Sequence, residues 1–194
     1  MKHLLSEQLK EEIRKTQEVL KNGGVILYPT DTIWGLGCDA TNEKAVQRIF
    51  EIKKRANSQA MLVLLEDAGK IASYADVPDI ALSIIEVTDK PTTIIYPNAK
   101  RLAPSLIAED KTIGIRITNE IFTSSLLHRF NRPLVSTSAN ISGEKTPSFF
   151  KEIKDDIKNA VDYIVNYRQK DFESSSASSI IKLSMSGEVK IIRP

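Results

Sequence analysis

Helix-like and strand-like hydrophobic periods alternate along the chain. Between Ser6 and Asn22 the apolar residues recur on one stripe of a helix, which Ser6 caps and the glycines after Asn22 end. A short apolar strand over 25–28 follows, and Asn42 opens a second amphipathic helix. The remaining pattern predicts strands over 62–65, 92–96, 113–117, 134–136, 161–165, 178–183 and 189–192, and helices over 68–73, 78–87, 119–130 (capped by Asn119) and 148–159.

Helices interleaved with strands predict an α/β fold. The sheet is expected to be mixed, because the last strands lie close together in sequence. No repeat or low-complexity linker divides the 194 residues, so we expect a single domain over 1–194. The loop over 97–112 is long for a structureless connection, which makes it a functional candidate.

Composition excludes several classes of protein. An apolar fraction of 41% and a net charge of +2 indicate a globular domain, neither a disordered chain nor a polycation. One cysteine and two histidines argue against a disulfide framework and a zinc enzyme. No apolar run approaches the ~20 residues of a membrane-spanning helix, and the charged N-terminus is unlike a signal peptide. The sequence therefore predicts a cytoplasmic protein with no membrane partner and no protein-held metal.

The first segment with candidate chemistry is Y-P-T-D-T-I-W-G-L-G over 28–37. It places two hydroxyls and a carboxylate after a strand, at the sheet edge where α/β folds bind ligands. Gly35 and Gly37 let the backbone turn tightly or approach a ligand closely. A glycine-containing turn with a capping aspartate is an equal interpretation, because G-x-G alone is a weak signal.

The second segment is I-K-K-R-A-N-S-Q-A-M over 52–61. Arg55 is a candidate for bidentate phosphate binding, with Lys53 as a mobile point charge and Gln59 as an amide contact. The alternative is a set of solvated cations that complement the C-terminal dipole of the preceding helix.

The third segment, V-S-T-S-A-N-I-S-G over 135–143, carries hydroxyls and an amide at the end of a strand. This composition is typical of an anion or nucleotide cradle, in which N–H and O–H groups meet phosphate oxygens. An ordinary polar loop is the alternative. A serine hydrolase is disfavoured, since Ser138 lacks a G-x-S-x-G context.

Two weaker signals lie further along the chain. Thr112 and Arg116 are four residues apart, on the same face of a predicted strand. If Arg116 is buried there it needs an anionic partner, which is either a substrate carboxylate or an internal salt bridge. The run S-S-S-A-S-S-I-I over 174–181 supplies hydroxyls before a strand, and Arg193 stands next to the last residue.

Taken in order, these segments resemble the YrdC-like family of threonylcarbamoyl-AMP synthases. Over roughly residues 10–194 the chain follows the family pattern, and S-A-N-x-S-G is present unchanged. The matches are P-T-[DE]-T-x-[YW]-G-L-G on 29–37, K-x-R-P-x-x-x-P-L on 53–61, T-x-x-x-R on 112–116, S-A-N-x-S-G on 138–143, an S-T-V-V-D-like strand on 178–182 and I-x-R-P on 191–194.

The resemblance implies a YrdC-like fold, a twisted mixed β-sheet flanked by helices, with a deep basic cleft. It also implies a nucleotidyl transfer in which L-threonine, bicarbonate and ATP give threonylcarbamoyl-AMP and pyrophosphate. Mg²⁺ is expected to arrive with the ATP. A separate complex is expected to pass the threonylcarbamoyl group on to tRNA.

Site residues carry over from the same resemblance, position by position. The threonine contacts are Thr32, Thr112, Arg116 and Ser178. The ATP contacts are Arg55, Gln59, Ser136, Ser138, Asn140, Thr146 and Arg193, and the catalytic pair is Lys53 and Arg55.

Four positions depart from the family pattern. Ala56 and Ala60 stand where prolines are usual, which favours a more flexible loop. Gln59 stands where Lys or Asn is commoner. Lys182 replaces the usual Asp after the hydroxyl-rich strand and so reverses a charge near the expected cleft.

Two other functions compete with the synthase. The first is a non-catalytic binder of tRNA or other double-stranded RNA, although an aromatic content of 6% offers few stacking platforms. The second is carbamoyl transfer as in hydrogenase-maturation relatives, which calls for additional domains. The cations expected to track an RNA backbone are Lys53, Lys54, Arg55, Lys100 and Arg101.

Overall fold

A computed structural model describes residues 5–54, 61–171 and 177–194 of the protein. Helices and strands alternate along these ranges, which confirms the α/β class. The helices are α1 (Glu7–Lys21), α2 (Glu43–Ile52), α3 (Ile80–Val87), α4 (Ile121–Phe130) and α5 (Asp155–Ala160). The strands are β1 (Ile26–Tyr28), β2 (Gly35–Gly37), β3 (Leu62–Leu65), β4 (Thr92–Tyr96), β5 (Ile113–Ile117), β6 (Leu134–Ser138), β7 (Tyr163–Ile164), β8 (Ser179–Leu183) and β9 (Val189–Arg193). Short 3₁₀ turns cover Ala68–Ser73, Pro104–Leu106 and Phe150–Glu152.

The described strands form one twisted sheet in the order β7-β1-β2-β6-β3-β5-β4-β8-β9. Three neighbouring pairs, β1–β7, β3–β5 and β4–β8, are parallel, and the other neighbours run antiparallel. The sheet is therefore mixed, as predicted.

Side-chain caps fix where the first two helices begin. The Ser6 hydroxyl accepts a hydrogen bond from the Leu9 N–H at 3.2 Å, and the Asn42 side chain accepts from the Ala45 N–H at 3.3 Å. Gly23 ends α1 with a positive φ of 76°, a conformation that glycine adopts without strain. Both caps were predicted from sequence. No helix in the described ranges combines the length and the apolar character that crossing a membrane requires.

Apolar side chains cover the sheet on both faces. On one face α1 and α4 pack together over β1, β3 and β6, burying Leu64 and Leu134. On the other face Val63 and Leu65, the sequence neighbours of Leu64, belong to a second cluster with α2. This alternation is what a strand buried on both faces requires.

The α1–α4 layer covers only part of its face. Its buried cluster takes no side chain from β4, β5, β8 or β9. The half of the sheet formed by these four strands is therefore not covered by α1 and α4 on the face to which Leu64 points, and it is called the open half below. The candidate site lies there.

Strand β2 was not predicted from sequence, because its glycines were interpreted as a turn or a ligand approach. The Gly-Leu-Gly segment instead pairs antiparallel with both β1 and β6. Gly37 allows this pairing, since an added Cβ would lie 2.5 Å from Cε1 of Tyr28 and 2.9 Å from the Val135 carbonyl oxygen. Close packing of the Tyr28 ring thus accounts for Gly37, whereas the approach of a ligand to Gly35 stays a prediction.

Three predicted helices differ from the structure. Glu120 caps α4, where Asn119 was predicted, because the Glu120 carboxylate accepts from the Thr123 N–H at 2.7 Å. The predicted helix over 148–159 is a 3₁₀ turn followed by α5, interrupted at buried, extended Ile153. The segment over 68–73 is 3₁₀ rather than α.

The 97–112 loop packs on the core. Leu102 and Leu106 are buried, and the Ser105 N–H and hydroxyl both donate to the Glu43 carboxylate at 3.2 Å. These side chains join the cluster that contains α2, on the face away from the open half of the sheet. Packing thus accounts for the middle of the loop, and its functional role stays a prediction.

Replacing Gly37 with Ala tests the close approach of β2 to Tyr28. We expect the free energy of unfolding to fall by about 1–3 kcal/mol, because the new methyl group must displace the Tyr28 ring or the backbone. Urea unfolding measures the change. Gly69→Ala is the control, since its Cβ meets only the side chain of Asp67, at 3.2 Å. Equal stabilities for the two variants would contradict the packing argument.

Asp162 provides a prediction about pH. Partial burial opposes its ionisation, but hydrogen bonds from Arg48 and the Val25 N–H lower the pKa of this carboxyl below its ordinary 3.8. Stability from this group is therefore present above pH 4 and is lost as the pH falls through the lowered pKa. Both partners are more than one-third exposed, so we expect Asp162→Asn to cost only about 0.5 kcal/mol at pH 7 after solvent screening. Thermal unfolding should show this difference disappearing towards pH 3, and a difference that grows with acid would contradict the assignment.

Candidate active site

Strand register aligns polar residues across the open half of the sheet. Arg116 on β5 pairs with Thr93 on β4, Thr93 pairs with Ile180 on β8, and Ile180 pairs with Arg193 on β9. Cross-strand partners point to the same face, and Leu64, the β3 partner of Arg116, belongs to the α1–α4 layer. These four residues therefore lie side by side on that face of the sheet, where they form the floor of a cleft beside the α1–α4 layer.

A cleft of about 390 Å³ opens above this floor. Its described lining includes two arginines and no acidic residue, and most of the remaining polar groups are hydroxyls. It brings together seven of the predicted site residues, namely Thr32, Arg116, Ser136, Ser138, Thr146, Ser178 and Arg193. The depth and basic character implied by the resemblance stay predictions.

Arg116 is the buried charge of the cleft, with only 3% of its surface exposed. Its Nη2 donates to Oδ1 of Asp31 at 2.8 Å, so the internal salt bridge considered from sequence is present. Its Nε is also buried, yet it has no hydrogen-bond partner among the described residues. A buried N–H without an acceptor is costly, and this one lies at the floor of a cleft. The guanidinium thus has one anionic partner and retains an N–H group that can donate a further hydrogen bond.

Asp31 is the salt-bridge partner of Arg116 but does not line the cleft. Burial raises the pKa of its carboxyl, although the positive charge of Arg116 opposes that rise. Asp31 lines a second, smaller cavity of about 220 Å³, whose walls include Ile115 and Ile117. These residues alternate with Arg116 along β5, so the second cavity lies on the other side of the sheet.

The 29–32 segment holds Thr32 in a defined orientation. The Thr30 hydroxyl donates to the Ile33 carbonyl at 2.8 Å, which uses its only proton. The 3.0 Å contact between the Thr30 and Thr32 hydroxyls therefore has Thr32 as the donor. The free lone pairs of the Thr32 oxygen remain as acceptors for a ligand donor.

Ser178 and Arg193 form the opposite wall. The Ser178 hydroxyl shares a hydrogen bond of 2.8 Å with that of Thr93. Nε and Nη2 of Arg193 both donate to the Ser178 carbonyl, at 2.9 and 2.6 Å. Arg193 thus ties the end of β9 to the start of β8 while still lining the cleft. Thr93 was missed from sequence, where only its strand was predicted; the register with Arg116 identifies it.

Lys53 lies below the loop over 138–143. Only 2% of its surface is exposed, and its ammonium donates to the carbonyls of Ser138 and Asn140 at 2.5 and 2.7 Å. Its own carbonyl accepts from the Ser142 N–H. Lys53 is therefore a buried anchor of this loop in the structure, and not the mobile point charge expected from sequence.

The Asn140 side chain also stabilises this loop, through hydrogen bonds to nearby backbone carbonyls. Its amide nitrogen donates to the carbonyls of Ile141 and Glu144 at 3.0 and 2.9 Å, so both of its protons are used. Asn140 does not line the cleft. Its predicted contact with phosphate would have to use the side-chain oxygen, which is buried and has no partner among the described residues.

Thr112 is also absent from the cleft lining. It precedes β5, and its hydroxyl donates to Asp110 at 2.6 Å. Lys182 pairs with the same carboxylate at 2.5 Å. The charge that Lys182 reverses relative to the family pattern is therefore balanced by Asp110. The predicted positions Arg55 and Gln59 lie outside the described residues, as do Ala56 and Ala60.

The cations proposed for RNA binding do not form one exposed track among the described residues. Lys53 is buried under the 138–143 loop, and Lys100 pairs with Asp76 at 2.9 Å on the 97–112 side. Arg55 lies outside the described residues. The RNA-binding alternative gains no support from this arrangement.

Known proteins similar to this chain match over nearly its whole length. The model of the Sua5–YciO–YrdC family, described as telomere recombination, matches residues 18–194. The threonylcarbamoyl-AMP synthase of Pseudoalteromonas translucida is 33% identical over 174 residues, which are 88% of this chain and 91% of the relative. A putative threonylcarbamoyl-AMP synthase of Methanocaldococcus jannaschii is 36% identical over 178 residues, 89% of this chain and 83% of the relative.

A solved structure shows the same fold. The P. abyssi Sua5 structure, complexed with L-threonine, superposes with a TM-score of 0.78 at 24% sequence identity. The alignment covers 88% of this chain and 50% of the Sua5 chain, so the protein described here spans half the length of that relative.

Lys53→Met tests the anchoring of the 138–143 loop. We expect the free energy of unfolding to fall by about 2–4 kcal/mol, because the ammonium is removed from two carbonyls that stay buried. Lys54→Met is the matched control, since Lys54 is exposed. Chemical denaturation of both variants measures the difference. Equal stability would mean that the Lys53 hydrogen bonds do not hold the loop.

Proposed function

This chain belongs to the Sua5–YciO–YrdC family, and we propose that it is a threonylcarbamoyl-AMP synthase. The substrates are L-threonine, bicarbonate and ATP, and the products are threonylcarbamoyl-AMP, pyrophosphate and water. The buried, unpartnered Nε of Arg116 at the floor of a hydroxyl-lined cleft is the observation that carries the proposal.

The reaction needs no protein nucleophile. The threonine amine adds to the carbon of bicarbonate, and loss of water leaves an N-carboxylate, the carbamate. A carbamate oxygen then attacks the α-phosphorus of ATP, and the bond to the bridging oxygen breaks to release pyrophosphate. Positioning of reactants accounts for most of the catalysis, and correct orientation alone lowers such barriers by ~7–11 kcal/mol.

Arg116 binds the threonine carboxylate. A guanidinium has five N–H donors in a planar fork, and Asp31 engages Nη2 alone. The substrate carboxylate accepts from Nε, which satisfies the buried N–H that the described residues leave without a partner. Thr32 accepts a hydrogen bond from the substrate amine or hydroxyl, and Ser178 flanks it from the other wall.

Thr112 reaches the substrate only after a rearrangement. Its hydroxyl proton is committed to Asp110, so it contributes to threonine binding by releasing that bond or through its oxygen. We keep it as a predicted contact and assign the principal recognition to Arg116.

ATP occupies the β6 side of the cleft. Ser136 and Ser138 alternate along β6 and point into the cleft, and the exposed Thr146 lies beyond the 138–143 loop. Hydroxyls and backbone N–H groups at a strand end suit phosphate oxygens. Arg55, Gln59, Asn140 and Arg193 complete the predicted set.

Lys53 and Arg55 act on the charge that develops at the phosphates. Lys53 does so from below the 138–143 loop, whose carbonyls it holds, and Arg55 by direct bidentate contact. Mg²⁺ enters as part of the ATP substrate. The described lining of the cleft offers hydroxyls and no carboxylate, so the phosphates supply most of its ligands.

The product is an unstable mixed anhydride, which calls for prompt transfer. We propose that a tRNA-modifying complex receives the threonylcarbamoyl group, and that the activity is cytoplasmic because ATP and tRNA are found there. Direct RNA binding by this chain is not needed for the reaction.

Pyrophosphate release tests the proposed function. We expect release from ATP only when threonine and bicarbonate are both present. Arg116→Lys keeps the charge but loses the planar fork, so the KM for threonine should rise at least about tenfold while the KM for ATP changes little.

Arg129→Lys makes the same exchange on exposed α4, away from the cleft, and should leave both constants unchanged. Threonine-independent release would contradict the synthase assignment. A rise in the ATP constant alone would place Arg116 at the nucleotide.

A further inference from the structure

Asp31 is the acidic partner of Arg116 and is itself held firmly. It lies between Thr30 and Thr32 in a segment whose carbonyls are engaged from two sides. The Thr123 hydroxyl donates to the Pro29 carbonyl at 3.0 Å, and Arg168 donates to the Thr30 carbonyl at 3.1 Å. The Asp31 carboxylate therefore has a fixed position from which to orient a guanidinium.

The contact leaves a defined set of donors free. Asp31 accepts from Nη2 of Arg116 through one oxygen, at 2.8 Å, and Arg116 is almost fully buried. A buried guanidinium held at one nitrogen cannot turn freely, so the direction of its Nε–H is fixed as well. That buried Nε–H has no hydrogen-bond partner among the described residues. Asp31 thus selects which edge of Arg116 meets a ligand.

Asp31 also changes which anions Arg116 attracts. The cleft is proposed to hold a triphosphate beside an amino acid, and its described lining contains two arginines and no carboxylate. An unneutralised buried guanidinium would favour the more highly charged phosphate. Asp31 balances the charge of Arg116 without lining the cleft. A carboxylate that matches the free edge of the fork keeps its hydrogen bonds, whereas a phosphate loses the excess Coulomb attraction.

We propose that Asp31 is a positioning and specificity residue, which orients Arg116 for an amino-acid carboxylate and keeps phosphate groups off it. The inference rests on the proposed function, because it assumes that threonine and ATP share the cleft. It assigns to the acidic residue of the P-T-D-T segment a role exerted through Arg116.

Binding measurements on Asp31→Asn separate orientation from simple electrostatics. If charge alone matters, removing the negative charge that is paired with Arg116 should tighten the binding of every anion. If Asp31 orients the fork, threonine should instead bind at least about tenfold more weakly while pyrophosphate binds several-fold more tightly. Calorimetric titration with L-threonine alone and with pyrophosphate alone measures both constants.

Two further variants complete the design. Asp31→Glu keeps the charge but moves the carboxylate, so threonine should bind weakly and pyrophosphate should bind as in the wild type. Asp76→Asn makes the same charge change at an exposed pair with Lys100, and both constants should stay at the wild-type values. Unchanged or tighter threonine binding in Asp31→Asn would overturn the orienting role. Unchanged pyrophosphate binding there would overturn the selectivity.

A pH titration of the wild type tests the same idea should Asp31→Asn fail to fold. Burial raises the pKa of Asp31, so acidification neutralises it before the threonine carboxylate, and threonine affinity should fall in the folded protein. The charged groups around Asp31 are Arg116 on β5, Arg168 after β7, Glu120 at the start of α4, and Asp89 and Lys90 before β4. Constant affinity over the whole acid range in which the protein stays folded would overturn the proposal.

These outcomes distinguish the inference from the proposed function. Wild-type protein that does not bind threonine at all would overturn both. Wild-type protein that binds threonine, with Asp31→Asn binding it equally well, would overturn the role of Asp31 and leave the synthase assignment in place.

Discussion

A buried arginine on an apolar strand is the constraint on which the site depends. Strand alternation directs Arg116 to the open face of the sheet while Ile115 and Ile117 point to the other face. A buried guanidinium is tolerated only with an anionic partner, and Asp31 supplies one. The pair still leaves one buried N–H without an acceptor. The charge of Arg116 is therefore balanced by Asp31, while one of its buried N–H groups can still donate a hydrogen bond.

Helices α1 and α4 leave half of one face of the sheet uncovered, and this arginine lies on that half. Helices α1 and α4 cover β1, β3 and β6 but not the four strands that carry the Arg116 row. Most of this architecture was predictable, because caps such as Ser6 and Asn42 and alternating apolar residues mark the elements locally. Strand β2 was not, since its glycines lack strand propensity and it forms through pairing with β1 and β6. The break at Ile153 likewise depends on packing between residues distant in sequence.

The candidate site was predictable to the extent that motifs mark strand ends. The resemblance located Thr32, Arg116 and Ser178, which the fold brings to one cleft. It did not show that Lys53 donates to loop carbonyls or that Thr93 joins the floor of the cleft. Those facts follow from cross-strand register and from the path of the 138–143 loop, neither of which one sequence contains. Motif spacing indicates which residue types are present, whereas the folded structure determines which of their polar atoms can still bind a ligand.

The location of the threonine carboxylate is the most direct test of this account. A crystal structure of the protein with L-threonine should place a carboxylate oxygen about 2.7–3.2 Å from Nε of Arg116, with the Asp31 contact to Nη2 retained. Threonine bound elsewhere in the cleft, with Nε still unpartnered or with Arg116 turned away from Asp31, would contradict it.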